Sequence, residues 1–349
     1  MDSYYGYSTA VWYWRIVAPR NRAPRHISRM LERGTYAFTS VQEYAQRPKW
    51  LDARLVRYAG GIDQLVFHDA RRSARGDCRQ HLWRRAPRDA FSPAGEKSFV
   101  SSPEFCFLQM ASELSFVELA LLGMELCGLY CIDPDEAEGI GERTVPLTST
   151  ARLRAFLANN EGARGRRAAE VALQYIEDGS ASPMESAIYL LLCLPVKRGG
   201  YALPRPKLNH RIDLDEDAAK LAGKSWCYGD LCWPDDHLDL EYLGEGSHEG
   251  RQNMLADRSR TLAIEEMGFE VVEITKEQAC DLDAFDIIAK RVAKKLGKRL
   301  QKGQCGATEP RKRLFREVYC WQSDILDEHE AEMPDDAKES GPVYGRGAK

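Results

Sequence analysis

Residues 225–243 read SWCYGDLCW, then PDD, then HLDLEYL. Two runs dense in aromatic and aliphatic residues flank Pro234–Asp236. That is a turn sequence, because Pro presets φ and Asp side chains bond their own backbone. The first run reads as a strand from Ser225 to Trp233. The second, His237 to Leu243, alternates with period two: Leu238, Leu240 and Tyr242 share one face, and Asp239, Glu241 and Leu243 share the other. The hairpin so formed brings Asp230 and Glu241 toward each other. A carboxylate inside a strand of aromatics is costly to bury without a partner, which points to a site at Asp230. Both acids are hard oxygen ligands suited to Mg²⁺ or Mn²⁺. A metal held there would polarise a phosphate and generate hydroxide near neutral pH.

Working outward, Ser182–Leu194 (SPMESAIYLLLCL) opens as a helix, with Ser182 as N-cap, Pro183 at the first helical position and Glu185 at the third. Leu208–Leu214 alternates as a strand. A helix is expected from about Gly250 to Met267, stopped by Gly268. Phe269–Thr275 reads as a buried strand. Leu282–Arg299 reads as an amphipathic helix with Phe285, Ile288, Val292 and Leu296 on its apolar stripe. The order is helix, three strands, helix, strand, helix, an α/β (mixed α+β) arrangement.

That order resembles the restriction-endonuclease-like core of the PD-(D/E)XK superfamily. Residues 228–275 are similar to an uncharacterised bacterial domain family related to the very-short-patch-repair (Vsr) endonucleases. The likeness rests on Asp230 with Trp233-Pro234, Glu241-Tyr242-Leu243-Gly244, His248, Asp257 with Arg260, and Gly268 through Thr275. The upstream Ser182-Pro-Met-Glu185 and the Leu-Pro-x-Pro-x-x-Asn of residues 203–209 extend it to about a third of the chain. The resemblance implies a metal-dependent endonuclease hydrolysing phosphodiesters in DNA. It makes Asp230 and Glu241 the metal ligands, Glu185 a helix-borne acid holding metal or water, and His248 the general acid or base. Asp257 and Arg260 would support them. The superfamily has Lys two residues after its second acid; here that position is Leu243, which removes one polar group, and Glu245 is the nearest substitute. More loosely, the N-terminal part resembles AbiEi-type antitoxins of abortive-infection systems. That implies an alternative: a nuclease-fold DNA-binding regulator or antitoxin without catalysis, with a cognate toxin as partner.

Simpler readings stand beside these. Glu185 also completes a capping box with Ser182. Glu241 could face water on a half-exposed strand, and His248 could cap a helix. Asp257 and Arg260, three apart, could pair on the surface for a few tenths of a kcal/mol. Lys290, Arg291, Lys294, Lys295, Lys298 and Arg299 suit the end of a helix macrodipole and a solvated face, with phosphate contact by Lys294 and Lys295 as the functional version.

The chain has 349 residues with 44% hydrophobic and 29% charged content, ample for a core. Its net charge of −4 hides an asymmetry, since residues 1–100 hold 18 Lys+Arg against 9 Asp+Glu, a local +9. Arg71, Arg72, Arg84 and Arg85 are the candidates for nucleic-acid contact, with a solvated basic face as the alternative. The expected divisions are a mixed, mainly helical N-terminal domain (1–165), a connecting helix or linker (166–181), the nuclease-like domain (182–301) and a charged tail (302–349). The end of that tail should be disordered. Helical segments are expected at Ser8–Arg15, Pro103–Tyr130 and Ala168–Ile176. Ten cysteines without a Cys-x-x-Cys pair argue against a zinc site. Buried thiols at Cys106, Cys127, Cys131 and Cys193, and a start that lacks a secretory leader, fit a cytoplasmic protein. The most apolar stretch, Phe116–Ile132, carries Glu118 and Glu125 and reads as a buried helix rather than a membrane span. A third reading of the whole is a protein-interaction module in a defence system.

Overall fold

A computed structural model describes residues 2–24, 48–67, 78–95, 97–136, 138–244, 251–300 and 305–320; of residues 251–257 it describes the backbone only. His248, Glu245, Arg71, Arg72 and the end of the tail lie outside the described residues, as does the side chain of Asp257.

The first half begins with β1 (Ser3–Tyr5), α1 (Tyr7–Trp12, continuing as a π-helical turn to Val17) and α2 (Ala53–Tyr58). Four strands follow: β2 (Ile62–Val66), β3 (Cys78–Leu82), β4 (Phe91–Pro93) and β5 (Ser98–Ser101). With β1 they make a sheet in the order β3-β2-β1-β5-β4; the sequence predicts a strand and turn over Lys97–Pro103, where β5 lies, but not the other four strands, which are three to five residues long and carry little period. Next come α3 (Pro103–Met110) and α4 (Phe116–Leu126), where one continuous helical region was expected. The chain breaks it because Ser115 and Glu118 form a capping box, each side chain bonding the other's backbone N–H, which starts a new helix. A hairpin, β6 (Tyr130–Ile132) and β7 (Ile140–Glu142), leads into α5 (Thr150–Ala158) and α6 (Arg166–Leu173).

α7 (Pro183–Cys193) starts where the sequence placed it: Ser182 Oγ accepts the Glu185 N–H at 3.1 Å, and Pro183 sits in the first turn. Every residue of α7 is buried, so this helix is a central rod rather than a surface element. It is followed by β8 (Lys207–Asp213), α8 (Glu216–Ala222), β9 (Trp226–Trp233), β10 (Leu238–Leu243), α9 (Arg251–Glu266), β11 (Glu270–Thr275), α10 (Lys276–Cys280), α11 (Leu282–Lys295) and α12 (Glu309–Val318). The expected order is present with two short helices added. α8 is started by Asp215, whose carboxylate accepts the N–H groups of Asp217 and Ala218. α10 is started by a capping box of Thr275 and Gln278. The last long helix ends at Lys295, short of Arg299, where Gly297 takes a left-handed φ of 64°.

The second sheet has the order β11-β10-β9-β8. β8–β9 and β9–β10 are antiparallel, while β10 and β11 run parallel with α9 as the crossover between them. Its two faces enter different cores. Leu208, Leu231, Leu238, Leu240, Val272 and Ile274 join the main core with α7. Ile212, Cys227 and Cys232 pack with Ile264 of α9 in a smaller cluster. Leu208 pairs with Leu231 and Ile212 with Cys227, an even spacing that would put both pairs on one face. They nevertheless enter opposite cores, so the facing reverses between them, at Asn209 with its left-handed φ of 47°.

The main core is one contiguous cluster running from Tyr4 to Val318. The protein is a mixed α+β molecule. All ten cysteines are free, with Cys106, Cys127, Cys131 and Cys193 buried as expected. No described helix is long and apolar enough to cross a membrane.

Candidate carboxylate site

β10 is buried on both faces at its centre, flanked by β9 and β11. Asp239 and Glu241 therefore lie inside the protein, 0% and 1% exposed, on the face covered by α9. The half-exposed alternative for Glu241 is thus corrected: a strand central in its sheet, under a crossover helix, has no wet face.

The β9–β10 pairing runs from Leu238↔Trp233 to Leu240↔Leu231 and stops there. Beyond it the side chain of Asp230 takes over, with Oδ2 accepting the backbone N–H of Tyr242 at 2.9 Å. A strand N–H that has left its ladder needs a new acceptor, and this carboxylate supplies it. Arg260 of α9 turns in toward the same place. Its Nη2 is 2.6 Å from Glu241 Oε2, its Nη1 is 4.0 Å from Asp230 Oδ1, and Nη1 donates to Tyr228 O at 3.2 Å. Of the two readings of Arg260, support for the site acids or a surface pair with Asp257, its contacts fit the first: they tie the helix to both strand acids.

The expected capping box is only half formed at Glu185, because its side chain does not return to the Ser182 backbone. Its N–H is capped by Ser182, and its Oε2 accepts the Ala181 N–H at 2.8 Å. Its buried carboxyl is also part of the acid group. Burial first, and then the charge of Asp230 with a lesser push from Glu241, raises its pKa to about 8, against the pull of the Ala181 N–H and the Ser182 hydroxyl.

Asp239 was placed on the same strand face as Glu241 by its spacing but not singled out, and it proves central. Burial raises Asp239 to about 6 although its contact with Glu241 opposes the rise. Burial and then Asp239 raise Glu241 to about 9, and Arg260 only partly offsets this. None of the four carboxyl oxygens of Asp239 and Glu241 accepts an aligned hydrogen bond. The Arg260 guanidinium lies close against Glu241 Oε2 and opposes part of that rise. Two buried neighbouring carboxyls resist ionising together, so they titrate as a pair. A Cβ on Gly229 would lie 2.6 Å from both carboxylate oxygens of Asp239, so only glycine leaves room for that acid.

The group thus gathers Glu185 from α7, Asp230 from β9, Asp239 and Glu241 from β10, and Arg260 from α9. The donor chemistry is hard oxygen, as Mg²⁺ or Mn²⁺ requires. Among the described residues, however, no three His, Cys, Asp or Glu side chains are placed to hold an ion. Arg260 lies on Glu241 and Tyr242 N–H engages Asp230, so the described residues as they stand do not fit a resident metal. Leu243, at the usual lysine position, is half-buried at the end of β10.

The other expected contacts lie elsewhere. Arg84 and Arg85 are exposed and follow β3 in the first half. Lys294 is exposed at the end of α11, and Lys295 pairs with Glu270 of β11.

Comparison with known proteins gives a short match. The chain is 30% identical over 118 residues to the uncharacterized protein MT2308 of Mycobacterium tuberculosis (strain CDC 1551 / Oshkosh), and equally to Rv2248 of strain H37Rv. The match covers 34% of this chain and spans 39% of the relatives' length. No family model and no solved structure matches the chain.

Proposed function

We propose that the chain is a DNA-binding protein built on a restriction-endonuclease-like module related to Vsr endonucleases, with its carboxylate centre internally neutralised rather than loaded with metal. This makes it a regulator or antitoxin of the abortive-infection kind. The observation that carries the reading is Arg260, whose guanidinium sits between Glu241 and Asp230 where a divalent ion would bind in a working nuclease. The topology supports the fold assignment: helix, antiparallel hairpin strands, crossover helix and a parallel fourth strand. Leu243 in place of the superfamily lysine supports the loss of catalysis. The local +9 of residues 1–100 supports a phosphate-bearing partner.

A second reading, a Mg²⁺- or Mn²⁺-dependent DNA endonuclease, is favoured by a different observation. The carboxyl oxygens of Asp239 and Glu241 are buried without aligned hydrogen bonds, a state that an incoming cation would relieve.

One set of samples separates the two. Duplex DNA binding that weakens as salt rises, with no calorimetric Mn²⁺ binding and no plasmid nicking, is the expected outcome. Metal-dependent nicking by wild type that is lost in Asp230→Asn/Glu241→Gln would overturn it in favour of the nuclease. Absence of any duplex binding at low salt would remove both readings and leave a protein-interaction module.

A further inference from the structure

A cavity of about 1130 Å³ lies in the first half of the chain, away from the carboxylate group. One wall is the segment after β3, where Arg84, Arg85 and Arg88 are exposed. The other is α5 and the loop that follows it, with Arg152 and Arg164. The arginine wall is a built feature. Ala86 and Ala90, each 1% exposed, anchor the segment in the core and leave the arginines between and beside them pointing outward. Pro87 lines the cavity between them and restricts the backbone.

Behind the arginines is an ordered aromatic group. The His81 ring stacks on Tyr7 with centroids 3.8 Å apart, and Trp83 Nε1 donates to the Tyr7 hydroxyl at 3.1 Å. His81 Nε2 is fixed at 2.8 Å from Asp63, a 2% exposed carboxylate that also accepts two N–H bonds from Arg79. Tyr7 holds a left-handed φ of 49°, a conformation a tyrosine adopts only under constraint, and its N–H donates to Gln109 Oε1 at 3.1 Å. Gln80 Oε1, on a cavity-lining residue, is buried without a hydrogen-bond partner.

Electrostatics decides what suits this cleft. Its lining has five arginines against Asp89, Glu104 and Glu161. Arg152 is pinned to Glu104 at 3.0 Å, and Arg164 approaches Glu113 at 3.5 Å. Arg85 and Arg88 make no ion pair with a described residue. A concave wall of guanidinium forks focuses positive potential, and planar forks match phosphate oxygens two at a time. His81 and Trp83, partly exposed on the lining, put aromatic edges beside them, while Tyr7 is buried behind His81.

We propose that this cleft binds a phosphate-bearing nucleotide unit, either a segment of a nucleic-acid strand or a free nucleotide, with Arg84, Arg85 and Arg88 on the phosphates. The inference goes beyond the DNA reading above: it needs neither the nuclease-like fold nor the carboxylate group. The test uses the full chain and two probes, a fluorescein-labelled single-stranded DNA and a fluorescent ATP analogue, followed by anisotropy at low salt. Wild type should bind at least one. Arg84→Ala/Arg85→Ala/Arg88→Ala, all exposed positions, should bind about tenfold or more weakly with unchanged circular dichroism. For the strand, the slope of log affinity on log salt should fall by about 2, from three lost contacts at about 0.7 each. Displacement of the strand by unlabelled ATP identifies the free nucleotide as the occupant; strand binding that ATP does not displace identifies the strand. Asp230→Asn should leave this binding unchanged, which keeps the cleft separate from the carboxylate group. Equal binding by wild type and the triple variant, or binding of neither probe by wild type, overturns the proposal.

Discussion

Gly229 shows how tightly single residues are set around the acid group. The position of its missing Cβ lies 2.6 Å from the Asp239 carboxylate, so Gly229→Ala forces a shift in a buried strand pair. The expected loss is about 1–3 kcal/mol in urea unfolding. The same change in an Asp239→Ala background should cost clearly less, because the clashing group is gone; equal costs would show that the contact is not the cause. The acids also make a pH prediction. Glu185, Asp239 and Glu241 sit at about 8, about 6 and about 9, all above their ordinary values. The folded protein therefore holds protons that the unfolded chain has released near pH 4. Stability from these groups is full below the unfolded values and is lost as pH rises through about 6 to about 9. Unfolding free energies from urea titrations should fall across that range, by roughly a few kcal/mol, and Glu185→Gln/Glu241→Gln should flatten the fall. A midpoint that climbs with pH would contradict the burial of protonated carboxyls. These residue-scale features were only partly legible. Asp230 and Glu241 stood out as acids in apolar strands, whereas Asp239 looked like one more polar residue in an alternating run. Its importance comes from α9 covering a face that alternation alone assigns to solvent.

At the scale of elements, the signal at Ser182 placed the start of α7, while the starts at Ser115 and Asp215 went unread. Ser182, Ser115 and Asp215 each accept backbone N–H groups at the head of a helix, and such bonds reach only two or three residues along the chain. Ser182→Ala should cost about 1 kcal/mol, read as a shift in the urea midpoint. It should also loosen Glu185, since Ser182 is one of the two groups that oppose its rise in pKa. Leu190→Ala, in the fully buried middle of α7, should cost about 2–5 kcal/mol. A loss near 1 kcal/mol there would mean that α7 is less enclosed than its packing implies. Most strands of the first half were harder to read, because β1 and β4 span three residues each and cannot display a period.

For the whole molecule, the main core joins both halves. Leu119 and Met124 of α4, Leu190 of α7 and Leu314 of α12 belong to one cluster, and α7 packs against α4, α12 and β9 together. Denaturation followed by tryptophan fluorescence and by far-ultraviolet circular dichroism should therefore give one coincident transition. Two separated transitions would mean that the halves unfold independently despite their shared core. By itself, the sequence determined the order of the longer elements of the second half, the start of α7, that Leu238, Leu240 and Tyr242 share one face of β10, and that Asp230 and Glu241 belong to one hairpin. Those properties depend on hydrogen bonds and side-chain alternation within a few residues. Only the tertiary structure decided that Glu185 feels the charge of Asp230, that Arg260 turns onto Glu241, that Asp239 is buried beside it, and that arginines 64 to 80 residues apart in the chain, such as Arg84 and Arg164, line one cleft. Each of these follows from which faces of distant elements meet, and that is set by packing the whole core at once.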